Sequence, residues 1–561
     1  MALARTHAVA LVGVEGHVVE VETDIGNGLP AMILVGLPDT ALREARDRIR
    51  AAICNSGEPW PGTRMTVGLS PASLPKRGSG FDLAIAVGVL AAGGAVPTGR
   101  LATMMFLAEL GLDGRLHPVN GVLPAVLAAA EAGLGTVVVS AENAAEAALV
   151  PGVRVVAAGC LAHVCAWLRG GPRPQLPSAD PAGPAGARES RPALGQENGP
   201  AGARGNRPAL GQENGLAGGR GNGSALGQGN GAQGGPGSRG VGRRDMADVI
   251  GQAEARAAAE ISAAGGHNLL LAGPPGAGKT MLAERLPTIL PPLDRAAALA
   301  VTSIHSVAGT LPTGAGLVMR PPFCAPHHTA SKAAIVGGGS GIIRPGAASL
   351  AHCGILFLDE APEFDRDVLD ALRQPLESGS VTIARAGMCT TFPAQFALAL
   401  AANPCPCARY ATSATTCDCS PAARRRYQAK LSGPLLDRVD VKVELRPVGR
   451  AELLHDRDGA EPSRVGAARV LAARQRAAHR LAGTPWRLNA QIPGAELRRA
   501  YPPAAGALDL REVAMARGQV SARGADKIIR VAWSVADLAG RERPAARDVD
   551  TAIGLWTGVR R

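Results

Sequence analysis

Aromatic residues are scarce: 7 Phe, 5 Trp and 3 Tyr in 561 residues. A nucleic-acid contact made by this chain would therefore rest on phosphate charge rather than on base stacking. No uninterrupted apolar stretch reaches the length of a membrane span. The first residues, Met1-Ala2-Leu3-Ala4-Arg5-Thr6-His7, lack the basic-then-apolar layout of a secretory signal. A cytoplasmic location and no membrane partner are expected. Acidic residues are in deficit, 47 against 59 Lys and Arg, which leaves a net charge of +12. That balance favours an anionic partner, nucleic acid first, although an Arg-rich composition also follows from a GC-rich genome. The 10 cysteines are expected as thiols or metal ligands rather than disulfides in a reducing compartment.

The length calls for more than one hydrophobic core. Residues 171–244 form a break rich in Gly, Pro, Ala, Asn, Gln and Arg, with few large apolar side chains. Inside it Arg191-Pro-Ala-Leu-Gly-Gln-Glu-Asn-Gly199 recurs at Arg207-Pro-Ala-Leu-Gly-Gln-Glu-Asn-Gly215. The repeat offers no apolar face to stack and reads as a disordered linker. Before it, residues 1–170 alternate strand and helix patterns. Strands are expected at 9–22, 32–36, 104–112, 136–140 and 154–158, and helices at 40–55, 81–92, 122–132 and 141–149, which makes an α/β domain. After it, residues 245–446 carry the chemical motifs, and residues 447–561 have helical spacing with few strand signals.

The strand pattern His267-Asn-Leu-Leu-Leu-Ala272 runs into Gly273, Pro274, Pro275, Gly276, Ala277, Gly278, Lys279 and Thr280, and a helix is expected over 281–286. This is G-x-x-x-x-G-K-T in its strand–loop–helix context. The glycines let backbone N–H groups turn toward phosphates, Lys279 reaches the β- and γ-phosphates of ATP, and the Thr280 hydroxyl ligates Mg²⁺. A second apolar strand, Gly354-Ile-Leu-Phe-Leu-Asp-Glu360, ends in two carboxylates. Asp359 suits the Mg²⁺ shell, and Glu360 suits orienting and activating the attacking water. A third, Phe396-Ala-Leu-Ala-Leu-Ala-Ala402, ends at Asn403, whose amide is suited to the water or the γ-phosphate. Between the motifs, 313–346 carries Arg320, His327-His328, Lys332 and three consecutive glycines, and a hairpin pattern spans 380–392. Such insertions read as polymer-gripping loops or as surface loops packed on the core, and the two histidines as structural. Directly after Asn403, Cys405, Cys407, Cys417 and Cys419 form C-x-C-x₉-C-x-C. Four thiolates in two close pairs suit a structural Zn²⁺; four reduced cysteines in an excursion is the alternative.

The loop GPPGAGKT, the strand GILFLDE, Ala325-Pro-His-His-Thr329 and Ser432-Gly-Pro-Leu-Leu-Asp-Arg-Val-Asp440 together resemble the magnesium-chelatase-like AAA+ ATPases, in particular their ComM/YifB group. The resemblance covers the chain apart from the linker. It implies an AAA+ P-loop core with a C-terminal helical lid, a homo-hexameric ring with ATP between subunits, and a DNA helicase that migrates branches in homologous recombination and natural transformation. The alternative it leaves is a chelatase-type ATPase chaperone subunit acting on a protein partner. It makes Arg438 an arginine finger reaching a neighbour's γ-phosphate, and Arg523 the lid arginine that senses nucleotide, with Arg530 as the fallback. The insertions would face the ring pore. The first domain resembles the ribosomal-S5/Lon-protease-like fold. Aligned on Lon's segments, however, it has Gly80 where a nucleophilic Ser belongs and Leu123 where the Lys belongs, so proteolysis is not expected. DNA binding or ring assembly through Arg46, Arg48, Lys76 and Arg77 is expected instead.

Overall fold

A computed structural model describes residues 2–36, 40–174, 244–339, 343–385, 388–407, 417–449, 461–508 and 520–558. The linker expected at 171–244 lies almost wholly outside the described residues.

The N-terminal part is built on a mixed seven-stranded sheet. Its order is Ala31–Val35, Arg64–Ser70, Glu15–Gly26, Ala2–Val12, Met104–Leu107, Thr136–Ser140, Arg154–Ala158. The single strand expected over 9–22 is in fact two. Gly13 has φ 68°, a left-handed conformation that L-residues resist, so the chain turns there and forms a hairpin in which Val9 faces Val18. The strand Arg64–Ser70 and the helix Leu161–Leu168 were not expected from the pattern. Helix Asp82–Ala92 is buried along its whole length against this sheet, which is why its sequence is apolar all round rather than striped. Its first residue, Asp82, accepts from Arg48 Nε at 2.7 Å and from Arg48 Nη2 at 3.1 Å.

The second part holds a five-stranded parallel sheet ordered Phe323–Cys324, Ile355–Leu358, Ala397–Ala402, Leu269–Ala272, Val441–Glu444. Parallel strands covered on both faces read as continuous apolar runs. Here Leu269, Leu271, Phe357 and Ala399 pack into one core, while Leu356, Leu358, Leu398 and Leu400 pack into the core on the opposite face. The helices Ser463–Arg480, Ala522–Leu538 and Ala546–Thr557 add Val470, Ile528, Val531, Val549 and Ile553 to the first of these cores. The helix after the phosphate loop is shorter than expected. It runs Lys279–Ala283, and a separate turn of helix, Leu286–Ile289, begins with Pro287 in its first turn, where a missing N–H costs nothing.

Candidate nucleotide site

Register brings the three motif strands out at one edge. Ala272 pairs with Ala402, and Leu358 pairs with Leu400. Gly273 N–H then donates to the Ala402 carbonyl at 3.1 Å, so the phosphate loop leaves the sheet beside Asn403, with Asp359 and Glu360 on the far side of the same central strand. Ligand sites of parallel sheets form at this carboxyl end. Gly273 has φ 157°, and a Cβ there would sit 2.5 Å from the Leu445 carbonyl oxygen, so only glycine fits. Gly278, at φ 91°, turns the loop into the helix.

Lys279 is 7% exposed. Its Nζ donates to the carbonyls of Gly273 at 2.7 Å and Pro274 at 2.9 Å, and to Asn403 Oδ1 at 2.9 Å. Burial pushes its pKa down, while Asp359 and Glu360 oppose that shift. The Thr280 hydroxyl donates to Asp359 Oδ2 at 2.6 Å, and the other Asp359 oxygen accepts from Glu360 N–H at 2.9 Å. Glu360 has φ 49°, a left-handed backbone that costs a non-glycine residue about 1–3 kcal/mol. Its carboxylate lies 3.7 Å from His328 Nδ1. The His328 ring lies against His327, tilted by 33° with centroids 4.1 Å apart, and His327 Nδ1 meets the Thr329 hydroxyl at 2.8 Å. Sequence reasoning gave the His pair no part in the site. The signal available was its place just beyond the strand Phe323–Cys324, which pairs with the acidic strand.

Arg438 belongs to a different constellation. It follows the helical turn Gly433–Leu436, donates to the Pro434 carbonyl at 2.5 Å and is ion-paired with Glu377. Its Nε is buried with no hydrogen-bond partner among the described residues. Burial, and then the neighbouring cations Arg373 and Arg523, push its pKa down. Arg523 is exposed in the first turn of the helix Ala522–Leu538. That helix is held to the sheet by Lys527 Nζ on Asp440 Oδ1 at 2.6 Å, and His267 Nδ1 stands 3.6 Å from the other Asp440 oxygen. Arg530, the fallback for Arg523, donates its Nε to the Ile492 carbonyl at 2.7 Å, and burial pushes its pKa down.

Two of the N-terminal cations expected to serve DNA binding or ring assembly have partners within the chain. Lys76 is fully buried, its amine on the Pro71 carbonyl, and burial pushes its pKa down. Arg48 is committed to buried Asp82, whose carboxyl burial pushes up to about 6 against the pull of that guanidinium. Arg46 is exposed beside Asp47. Ser79, one residue from the Lon-type nucleophile position, donates to Glu109, so Ser79 and Lys76 each have other partners and do not form a dyad.

The hairpin expected over 380–392 is present as Ser380–Arg385 paired with Met388–Pro393. A Cβ on Gly13 would lie 2.8 Å from the Thr391 carbonyl oxygen, so the turn of the N-terminal hairpin abuts this one. Beyond Asn403, the sulfurs of Cys405, Cys407, Cys417 and Cys419 lie within 4.8 Å of one another. No helix among the described residues is long and apolar enough to cross a membrane.

A parallel sheet that carries a phosphate loop, an acidic strand end and an amide on the strand between them defines a P-loop ATPase of the AAA+ class. The comparisons with known proteins agree. The model for magnesium chelatase, subunit ChlI, matches residues 245–453, that for subunit ChlI of Mg-chelatase matches 21–143, and that for the ChlI C-terminal region matches 460–555. Competence protein ComM of Haemophilus influenzae is 37% identical over 100% of this chain and 98% of its own. YifB of Escherichia coli is 35% identical over 96% of this chain and 94% of its own. An uncharacterized protein of Mycobacterium tuberculosis is 46% identical over the full length of both. The chain belongs to the ComM/YifB family of magnesium-chelatase-like AAA+ ATPases.

Proposed function

We propose that this chain is an ATP-hydrolysing motor that works as a homo-hexameric ring on branched or single-stranded DNA, driving branch migration in homologous recombination. The observation that carries the ring is the separation of two charged constellations. Asp359 and Glu360 bear on Lys279; Glu377, Arg373 and Arg523 bear on Arg438. Each is half of a hydrolytic site, and a neighbouring copy supplies the other half.

In this reading the phosphates replace the Gly273 and Pro274 carbonyls as partners of Lys279. The Thr280 hydroxyl and the Asp359 carboxylate, in contact at 2.6 Å, are hard oxygen donors of the kind Mg²⁺ takes. The ion, bound with ATP, neutralises phosphate charge. Glu360 orients the attacking water and accepts its proton, and Asn403, already on Lys279 at 2.9 Å, holds the water or the γ-phosphate. Arg438 and Arg523 reach from the neighbouring subunit to the charge that develops in transfer. The DNA reading is supported by the net charge of +12, the hairpin over 380–393 and the kinship to a competence protein. The matched model names favour a second reading, a chelatase-type ATPase that remodels a protein partner.

The test is ATP turnover and unwinding by the purified full chain in Mg-ATP, with and without forked DNA, beside a mass measurement with nucleotide. The motor reading expects DNA-stimulated turnover, strand separation and a six-subunit mass. Turnover indifferent to DNA, with no unwinding, would reject it and favour the protein-remodelling reading.

A further inference from the structure

The loop that leaves the strand Ala397–Ala402 passes Asn403 and reaches the helix Pro421–Gln428. It starts and ends at the nucleotide site. The Tyr427 hydroxyl is hydrogen-bonded to the backbone of Asn403, and Gln428 Nε2 donates to the Pro404 carbonyl at 3.5 Å. Its middle, Ala408-Arg-Tyr-Ala-Thr-Ser-Ala-Thr-Thr416, has one large apolar residue among nine and lies outside the described residues. Cys405 is fully buried. What closes the loop is sulfur. Cys405 Sγ lies 3.3 Å from Cys407 Sγ and 3.5 Å from Cys417 Sγ, and Cys407 and Cys417 are 3.6 Å apart.

Those separations discriminate between chemistries. A disulfide brings two sulfurs to about 2.05 Å and satisfies them in pairs. A tetrahedral tetrathiolate around Zn²⁺, with bonds of about 2.3 Å, spaces its sulfurs by about 3.8 Å along every edge. Three sulfurs at 3.3–3.6 Å from one another, with the fourth inside the same 4.8 Å sphere, match a closed metal site and not two bridges. We propose that Cys405, Cys407, Cys417 and Cys419 bind one Zn²⁺, and that this ion staples the loop and thereby positions Asn403 against Lys279. The site has no open position, so its role is structural. Binding displaces four thiol protons, leaving four thiolates around the ion. It does not depend on the motor reading.

Metal analysis of the untagged full chain, purified without chelator, tests it. About one zinc per chain is expected. Titration with a thiol-reactive mercurial should release that zinc in step with four thiols, followed with a zinc-chelating dye. The protein loaded with Co²⁺ should show the intense visible bands of a tetrahedral tetrathiolate. Cys419→Ser, at the partly exposed end of the set, should lower zinc occupancy while the chain stays folded by circular dichroism. If the wild-type chain folds without metal and its four cysteines are free or disulfide-bonded by mass, the proposal is overturned; iron in place of zinc overturns it as well. The positioning role has its own readout. Zinc release should lower kcat for ATP with little change in the affinity for a fluorescent ATP analogue, because Asn403 acts on the reacting end while the phosphate loop still binds. None of the metal readouts uses DNA or hydrolysis, so their failure is distinguishable from failure of the motor reading.

Discussion

Mixing two inactive variants tests whether the hydrolytic site is shared. Lys279→Ala removes the amine that sits on Gly273, Pro274 and Asn403. Arg438→Ala removes the guanidinium tied to Glu377 and flanked by Arg373 and Arg523. Each variant alone should be nearly inactive, since loss of an arginine finger costs about 10³–10⁵ in turnover. In mixed rings an interface is intact when the subunit offering the phosphate loop is the Arg438 variant and its neighbour is the Lys279 variant. With a fraction f of one variant, intact interfaces scale as f(1 − f), so an equal mixture restores about one quarter of them. Steady-state ATP turnover should therefore rise from near zero to at most about a quarter of wild type at equal mixing, along a symmetric curve. Cooperative rings would lower the maximum without moving it. Native mass measurement must show mixed rings at the same ratios. Mixed rings with no recovered turnover at any ratio would falsify the shared site, as would an Arg438→Ala variant with wild-type turnover.

The remaining expectations concern neighbouring contacts. His328→Ala frees Glu360 from the imidazole 3.7 Å away. A partly exposed pair of this kind, ionic only with the imidazole protonated, holds at most about 1 kcal/mol, so turnover without DNA should rise by up to about fivefold, most at low pH, while stimulation by DNA falls; an unchanged basal rate at low pH refutes a restraining role. Lys527→Ala leaves Asp440 buried without its main cation, and should cost about 3–5 kcal/mol in denaturant unfolding, with Lys527→Arg recovering part of it. A loss below about 1 kcal/mol sinks that account. Acid should weaken the same part of the chain in two stages. Burial lowers His352 from the ordinary 6.5 to about 4, so between those values the unfolded chain binds the extra proton and stability falls as pH drops, by about 3 kcal/mol once pH passes below 4. Burial alone would raise Asp440, but Lys527 and His267 outweigh it and hold the carboxyl below its usual range. Its contribution is present above about pH 3.9 and is lost below that. His352→Gln should flatten the upper stage in urea titrations across pH 7 to 4; an unaltered slope there refutes the assignment.

The nucleotide motifs were legible because each is contiguous and each sits at the end of an apolar strand. Register then did the rest: the pairing of Leu269–Ala272 with residues 399–402 of the central strand puts Gly273 beside Asn403. His328 was not legible, because its meeting with Glu360 depends on a two-residue strand, Phe323–Cys324, too short to leave a period in the sequence. The partners of the N-terminal cations were hidden for another reason. Charge is visible in a sequence, but burial and pairing are not: Lys76 is buried, and Arg48 is tied to the buried carboxylate of Asp82. The first hairpin was missed because Gly13 sits between apolar runs that read as one strand until its φ of 68° is known.

The neighbours of Arg438 bear on the role proposed for Arg523. Arg523 is one of two arginines, with Arg373, whose charge bears on Arg438. Two guanidiniums held close cost repulsion, and the Asp440–Lys527 pair fixes the helix that maintains it. Glu377 offsets part of that repulsion within the chain, and the phosphates of a neighbour's ATP would offset more, since an anion between the two arginines turns repulsion into bidentate attraction. Nucleotide should then tighten subunit association more than it stabilises any single chain. The check is oligomer mass against nucleotide concentration for Arg523→Ala. Wild-type chain should assemble with ATP and come apart without it, and the variant should need several-fold more protein to assemble. Equal assembly of the two would return Arg523 to the sensing of its own subunit's site.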